Sequence, residues 1–124
     1  LILLIFMKVL ILDKDYISSR AYANEWTYRL KAKGHDVVYE IHIINLRALN
    51  RNLSEFDVIL AHPRTEDISL LDEELKRRES LRLILHSGRD SFITFNVINS
   101  PQVSYYSNNY LSSRLMELVE GDKK

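Results

Sequence analysis

The sequence predicts an α/β domain in which helices alternate with the strands of a parallel sheet. Short apolar runs typical of strands recur along the chain, and segments with the helical spacing of apolar residues separate them. The runs Val58–Leu60 and Leu83–Leu85 contain no polar residues, which is typical of strands that are covered on both faces. Strands that alternate with helices are joined by right-handed crossovers, and these connections make the strands parallel.

Five strands are predicted, and at a length of 124 residues they fit a single domain. The expected arrangement is a flavodoxin-like three-layer sandwich with a five-stranded parallel sheet in the order 2-1-3-4-5. We expect residues 1–7 to be an apolar extension or the start of the first strand, residues 8–121 to form the domain, and residues 122–124 to be a fraying tail. The predicted strands are Lys8–Leu12, Asp36–Ile41, Phe56–Ala61, Leu81–His86 and Val103–Tyr106.

Two long helices are predicted from apolar spacing and from residues typical of helix ends. The first covers Ile17–Lys33, and Gly34 stands where a C-terminal capping glycine belongs. The last covers Tyr110–Glu120, with Asn109 as its N-cap and Gly121 at its end. The residues expected to face the core are Ala23, Trp26 and Leu30 in the first helix, and Leu111, Leu115, Leu118 and Val119 in the last.

The middle of the chain gives weaker helical signals. A helix is expected to begin near Ser69 as its N-cap, and the pairs Glu73–Arg77 and Glu74–Arg78 predict a solvent-exposed face on it. The stretch after Leu46 indicates at most a short helix. Residues 90–100 suit a strand as well as a helix.

Composition excludes several functions. Seventeen basic and seventeen acidic residues give a formal net charge of zero, so binding of nucleic acid through overall charge is not expected. The absence of cysteine excludes disulfides, thiolate metal sites and cysteine nucleophiles. Eleven of the first twelve residues are apolar, but a membrane helix needs about 20. A secretory signal would require basic residues before the apolar run, and none are present. We therefore expect a cytoplasmic location without membrane contact.

In an open α/β sheet, ligands bind beyond the carboxyl ends of the strands, which directs attention to the residues that follow each predicted strand. His35 and His42 lie at the two ends of the second strand and are expected at the surface. The candidate site residues at this edge are Asp13, Lys14 and Asp15 after the first strand, His62 after the third, His86 and Ser87 at the fourth, and Asn108 after the fifth.

Three segments resemble the receiver domains of response regulators. Lys8–Asp15 resembles the first receiver strand, which ends in a cluster of acids, and Phe56–Pro63 resembles the third strand, which ends in the phosphoacceptor aspartate. Tyr105–Tyr110 stands where receivers carry a lysine followed by a proline. The resemblance implies a signalling module that binds its partner through the fifth strand and the adjoining helices.

The sequence departs from receivers at the residues that carry their chemistry. Lys14 stands in the second acidic position, His62 occupies the phosphoacceptor position, and no lysine occurs between Lys76 and Lys123. Aspartyl phosphorylation needs an acid nucleophile, a cation held by oxygen ligands, and a positive charge for the phosphoryl group. We therefore expect a degenerate receiver that acts without phosphorylation and without a cofactor.

Two alternatives remain open at this point. A small metal-dependent or hydrolytic enzyme could use Asp13, His62 and His86, because two imidazoles and a carboxylate can bind a transition metal, with Ser87 as a further nucleophile. The third interpretation is a conventional receiver whose phosphoacceptor is Asp57 or Asp13.

Aromatic residues cluster near the fifth strand and the last helix, where three of the seven tyrosines lie. Aromatic side chains and arginine are enriched at protein interfaces. We expect Tyr105, Tyr106, Tyr110 and Arg114 to bind a protein partner or a second copy of the chain, although the rings could instead pack the edge of the sheet.

Overall fold

A computed structural model describes residues 6–13, 17–63, 65–88 and 100–121, with the side chains of residues 17–19 left out. The predicted site residues Lys14 and Asp15 lie outside the described residues, as do the tail and most of the ambiguous segment at residues 90–100. In the described part of the chain, no helix is both long enough and apolar enough to cross a membrane.

Among the described residues the sheet contains five strands, and every pair of neighbouring strands is parallel. Their order is β2-β1-β3-β4-β5, which confirms the predicted flavodoxin-like architecture. The first strand has the predicted bounds, and the ends of the other strands differ from the prediction by one or two residues. The strands are β1 (Lys8–Leu12), β2 (Asp36–Glu40), β3 (Val58–Ala61), β4 (Arg82–Ser87) and β5 (Val103–Ser107).

Helices cover both faces of the sheet. The helices are α1 (Ile17–Lys33), α2 (Ile68–Arg77), α3 (Asn108–Ser113) and α4 (Leu115–Glu120). The connection between β2 and β3 contains two 3-10 helices, Ile43–Leu49 and Leu53–Glu55, in place of a full α-helix. The sequence indicated at most a short helix after Leu46, and the first 3-10 helix begins before that residue.

Two apolar layers lie on opposite faces of the sheet, because successive side chains of a strand point to opposite sides. In β1, Val9 and Ile11 pack with α1, α3 and α4, whereas Leu10 and Leu12 pack with α2 and the 3-10 helices. The predicted inner face of α1 is confirmed, since Ala23, Trp26 and Leu30 are fully buried.

The second helix begins earlier than the sequence predicted. Asp67, not Ser69, precedes its first turn, and the carboxylate of Asp67 accepts a hydrogen bond from the Ile43 N–H at 2.8 Å. The prediction that Glu74 lies on a solvent-exposed face of this helix is wrong, because Glu74 is only 2% exposed. Arg77 donates to Glu74 at 2.7 Å, and an Arg78 nitrogen lies 3.5 Å from the same carboxylate, so the buried charge is compensated.

The predicted last helix is divided in two at Arg114, whose φ and ψ of −129° and 33° are not helical. Two side chains of α1 form hydrogen bonds close to this break in the helix. The Trp26 Nε1–H donates to the Ser112 hydroxyl at 2.7 Å, and Arg29 Nη1 donates to the Ser112 carbonyl at 2.7 Å. Leu118 is only partly buried, unlike the other residues of the predicted inner face, Leu111, Leu115 and Val119.

His35 is buried, so its predicted place at the surface is wrong. Its Nδ1 accepts a hydrogen bond from the Met7 N–H at 3.0 Å, and its Nε2 lies 2.9 Å from Glu120 Oε2. Because Nδ1 is an acceptor, the proton is assigned to Nε2, which donates to Glu120. Lys33 Nζ lies 2.9 Å from the same oxygen. The imidazole thus joins the start of β1, the end of α1 and the end of α4.

Candidate functional site

The parallel register brings one residue from each of four strands into a row at the carboxyl edge of the sheet. Asp13 and His62 follow the last paired residues of β1 and β3. In β4 the row continues with His86, which is paired with Tyr106 of β5. The sequence-predicted convergence of Asp13, His62 and His86 at adjacent strand ends is therefore present in the structure.

His86 is the most constrained member of this row. Its side chain is 2% exposed, its Nδ1 lies 2.9 Å from Asn108 Oδ1, and its ring meets Trp26 edge-on with centroids 4.7 Å apart. Burial lowers the pKa of His86 to about 4, so the ring is neutral at physiological pH. Since Nδ1–H donates to Asn108, Nε2 is an acceptor, and it has no hydrogen-bond partner among the described residues.

His62 lies beside His86 at the end of β3. The two ring centroids are 6.4 Å apart, and the rings are nearly perpendicular. His62 is partly exposed, whereas Asp13 on the other side of it is only 2% exposed. The main-chain N–H of Asp13 donates to the Glu40 carbonyl at 3.2 Å, which continues the hydrogen bonding between β1 and β2 beyond the strands.

The enzyme alternatives gain no support from this geometry. In the described ranges, no group of three or more histidine, aspartate or glutamate side chains is placed to hold a metal ion, so Asp13, His62 and His86 do not form such a site. Ser87 is buried and follows His86 directly in β4. Their side chains therefore leave the strand on opposite faces, which does not suit a nucleophile and its base.

Asp57 lies at the opposite edge of the sheet from this row. It precedes β3, it is exposed, and its carboxylate accepts a hydrogen bond from the Lys8 N–H at 2.8 Å. At roughly 3.3 Å per residue, the strand separates Asp57 from His62 by about 16 Å. A phosphoacceptor at Asp57 would therefore not share a site with Asp13.

The fifth strand leads into α3 through residues that support His86. The N-cap of α3 is Ser107 and not the predicted Asn109, because the Ser107 hydroxyl accepts from the Tyr110 N–H at 3.2 Å. Asn108 is buried and holds His86, and Asn109 accepts a hydrogen bond from the Tyr22 hydroxyl at 2.7 Å. Tyr22 and Trp26 of α1 therefore adjoin the site, although the sequence indicated only a core position for Trp26 and no role for Tyr22.

Three of the four predicted interface residues form one cluster. The rings of Tyr106 and Tyr110 are stacked with centroids 5.4 Å apart, and the Arg114 guanidinium lies 5.5 Å from the centre of the Tyr110 ring. Arg114 Nη1 also donates to the Tyr110 hydroxyl at 2.6 Å. Tyr105 is 38% exposed but points to the other face of β5, so it does not join this cluster. We call Tyr106, Tyr110 and Arg114 the tyrosine–arginine cluster.

Comparisons of the chain with protein-family models, with curated proteins and with solved structures give no match. A functional interpretation therefore starts from the fold and from the residues at the carboxyl edge of the sheet.

Proposed function

We propose that the chain is a cytoplasmic regulatory module of pseudo-receiver type, which acts through protein contacts and without aspartyl phosphorylation. One observation carries the proposal: His62 directly follows β3, beside the neutral imidazole of His86, at the position where receivers have their phosphoacceptor carboxylate. The flavodoxin-like sheet and its strand order agree with this class of domain.

The chemistry of the edge supports the same interpretation. An acyl phosphate forms only on a carboxylate, and the new phosphoryl charge needs a nearby cation. His86 does not supply that cation, because burial lowers its pKa to about 4. Receivers supply it with a lysine, and this chain has none between Lys76 and Lys123.

The tyrosine–arginine cluster is the surface that we assign to the partner. Tyr110 is 41% exposed, Arg114 is exposed, and both are residue types that contribute strongly to interface energies. Their mutual stacking and hydrogen bond hold the two side chains in place before binding, which lowers the entropy cost of association. The partner is another protein or a second copy of the chain.

Acetyl phosphate and Mg²⁺ provide the test of the phosphorylation-independent mechanism. The purified chain is incubated with both, and a functional receiver domain is treated in parallel as a positive control. We expect the intact mass of this chain to stay unchanged while the control gains a phosphoryl group. An adduct on Asp13 or Asp57 would contradict the proposal and would favour a conventional receiver.

Sedimentation equilibrium of the wild type and of a Tyr110→Ser variant identifies the kind of partner. Association that rises with concentration and that the substitution removes assigns the cluster to a second copy. A monomer at every concentration would exclude a second copy as the partner. Association that Tyr110→Ser and Arg114→Ala both leave unchanged would contradict a role for this surface.

A further inference from the structure

A groove opens on the face of the sheet opposite the tyrosine–arginine cluster, between the 3-10 helix Ile43–Leu49 and α2. It has a volume of about 890 Å³. It exists because the connection from β2 to β3 contains short 3-10 helices where a full crossover helix would cover this face. Its apolar residues include Ile43, Leu46 and Leu53, which also pack against the core of the domain.

Large apolar side chains on the two sides of the groove are exposed. Ile44, on the 3-10 helix, is 66% exposed, and Leu70, on α2, is 46% exposed. Each alone would be ordinary, but a pair that lines one groove above an apolar floor is typical of a binding surface. The groove can therefore bury the apolar side of a ligand between the two elements.

The charges along the groove favour an acidic ligand. Three arginines line it, Arg47, Arg51 and Arg77, together with the carboxylates of Glu66 and Asp67. Both carboxylates lie at the start of α2, where the helix dipole places positive charge that offsets theirs. Asp67 is further occupied by the Ile43 N–H, so its oxygen is not fully available to repel an anion.

Two of the arginines remain accessible to a ligand. Arg47 is exposed and makes no ion pair with any residue that the structure describes. The Arg77 side chain is 70% exposed, and only one of its nitrogens is engaged, with Glu74. Arg51 differs, because Asp36 and Glu55 already hold its guanidinium.

We propose that this groove docks an amphipathic helix of a partner protein, with apolar residues on one side and carboxylates along its edge. The apolar side would contact Ile44 and Leu70, and the carboxylates would reach Arg47 and Arg77. The groove volume corresponds to about two turns of a helix about 10 Å wide. The apolar floor and the zero net charge of the chain disfavour a nucleic acid as the occupant.

Two synthetic helical peptides with identical leucine positions test this proposal with the full chain. One carries glutamate and the other lysine at the same polar positions, and each is labelled for fluorescence anisotropy. We expect the glutamate peptide to bind at least about ten-fold more tightly than the lysine peptide, and to bind more weakly as salt is added.

Single variants locate the binding site. Ile44→Asp and Arg47→Glu alter exposed side chains, so both should fold as the wild type does, and each is expected to weaken the glutamate peptide at least about ten-fold. Tyr28→Asp is the matched control, because Tyr28 is 75% exposed on α1, on the other side of the sheet. It should leave the dissociation constant unchanged.

Three results would overturn the proposal: no binding of the glutamate peptide at millimolar concentration, equal binding of the lysine peptide, or equal weakening by Tyr28→Asp. Amide chemical shifts give a separate measure, and changes confined to Tyr110 and its neighbours in place of the groove would also overturn it. Since Tyr110→Ser should not affect peptide binding, failure here is distinct from failure of the proposed function.

Discussion

The buried His86 makes the stability of the fold depend on pH in a defined window. Its pKa is about 4 in the folded chain and about 6.5 when the ring is in water. Between these values the unfolded chain binds the proton more readily, so the free energy of unfolding falls as the pH falls through this range. The full stability is present above about pH 6.5. A pKa difference of about 2.5, at about 1.4 kcal/mol per unit, corresponds to a loss of about 3 kcal/mol by about pH 4.

Urea unfolding of the wild type and of a His86→Gln variant, from about pH 4 to about pH 7, measures this effect. Trp26 is the single tryptophan and is fully buried, so its fluorescence reports unfolding. The difference between the two free energies isolates His86, because the other groups titrate in both proteins. We expect that difference to change by about 3 kcal/mol across the window.

A constant difference between the wild type and His86→Gln at every pH would refute the reasoning. It would mean that the pKa of His86 is the same in the folded and unfolded chains, as it would be for a hydrated ring. A direct NMR titration of the His86 ring checks this, since a hydrated ring would titrate near its ordinary value.

Two further changes test the packing around this edge and at the end of α1. Trp26→Phe removes the donor to the Ser112 hydroxyl and part of a buried ring, so we expect a loss of about 1–3 kcal/mol in urea unfolding, with a smaller loss for Ser112→Ala. Circular dichroism follows the unfolding because the variant has no tryptophan, and a fully stable Trp26→Phe variant would contradict this role. Gly34→Ala places a Cβ on a residue with a left-handed φ of 106°, and that Cβ would lie 2.5 Å from the Phe6 ring. Thermal unfolding should therefore show a loss of about 1–2 kcal/mol in the free energy of unfolding, and an unchanged Tm would count against this expectation.

The strands could be predicted from sequence because their signal is local. Runs such as Val58–Ala61 are apolar at every position, since both faces of the strand are covered. The order of the strands followed from the crossover rule and the length of the chain. The strand ends could not be predicted in the same way. Strand β4 extends to Ser87 because Ser87 pairs with Ser107 of β5, and neither segment indicates this contact alone.

The edge residues could also be predicted in part. Asp13, His62 and His86 follow parallel strands, so the fold class alone brings them to one edge. The role of Trp26 could not be predicted, because its helical spacing is the same for a core residue and for one that supports a histidine. The His86 tautomer is fixed by the hydrogen bond that its Nδ1–H donates to Asn108, 22 residues away along the chain.

Long-range hydrogen bonds account for two of the predictions that were wrong. The division of the last helix coincides with bonds to Ser112 from α1, more than 80 residues earlier in the chain. His35 is buried because its partners are Met7 and Glu120, which lie 28 and 85 residues away. Residue spacing within a segment contains no information about such partners.

The position of His35 also brings distant parts of the sequence together. One imidazole ring bonds to Met7 on one side and Glu120 on the other, so the start of β1 and the end of α4 lie beside each other. The same proximity means that a short linker could join the two ends while new ends are opened at an exposed loop.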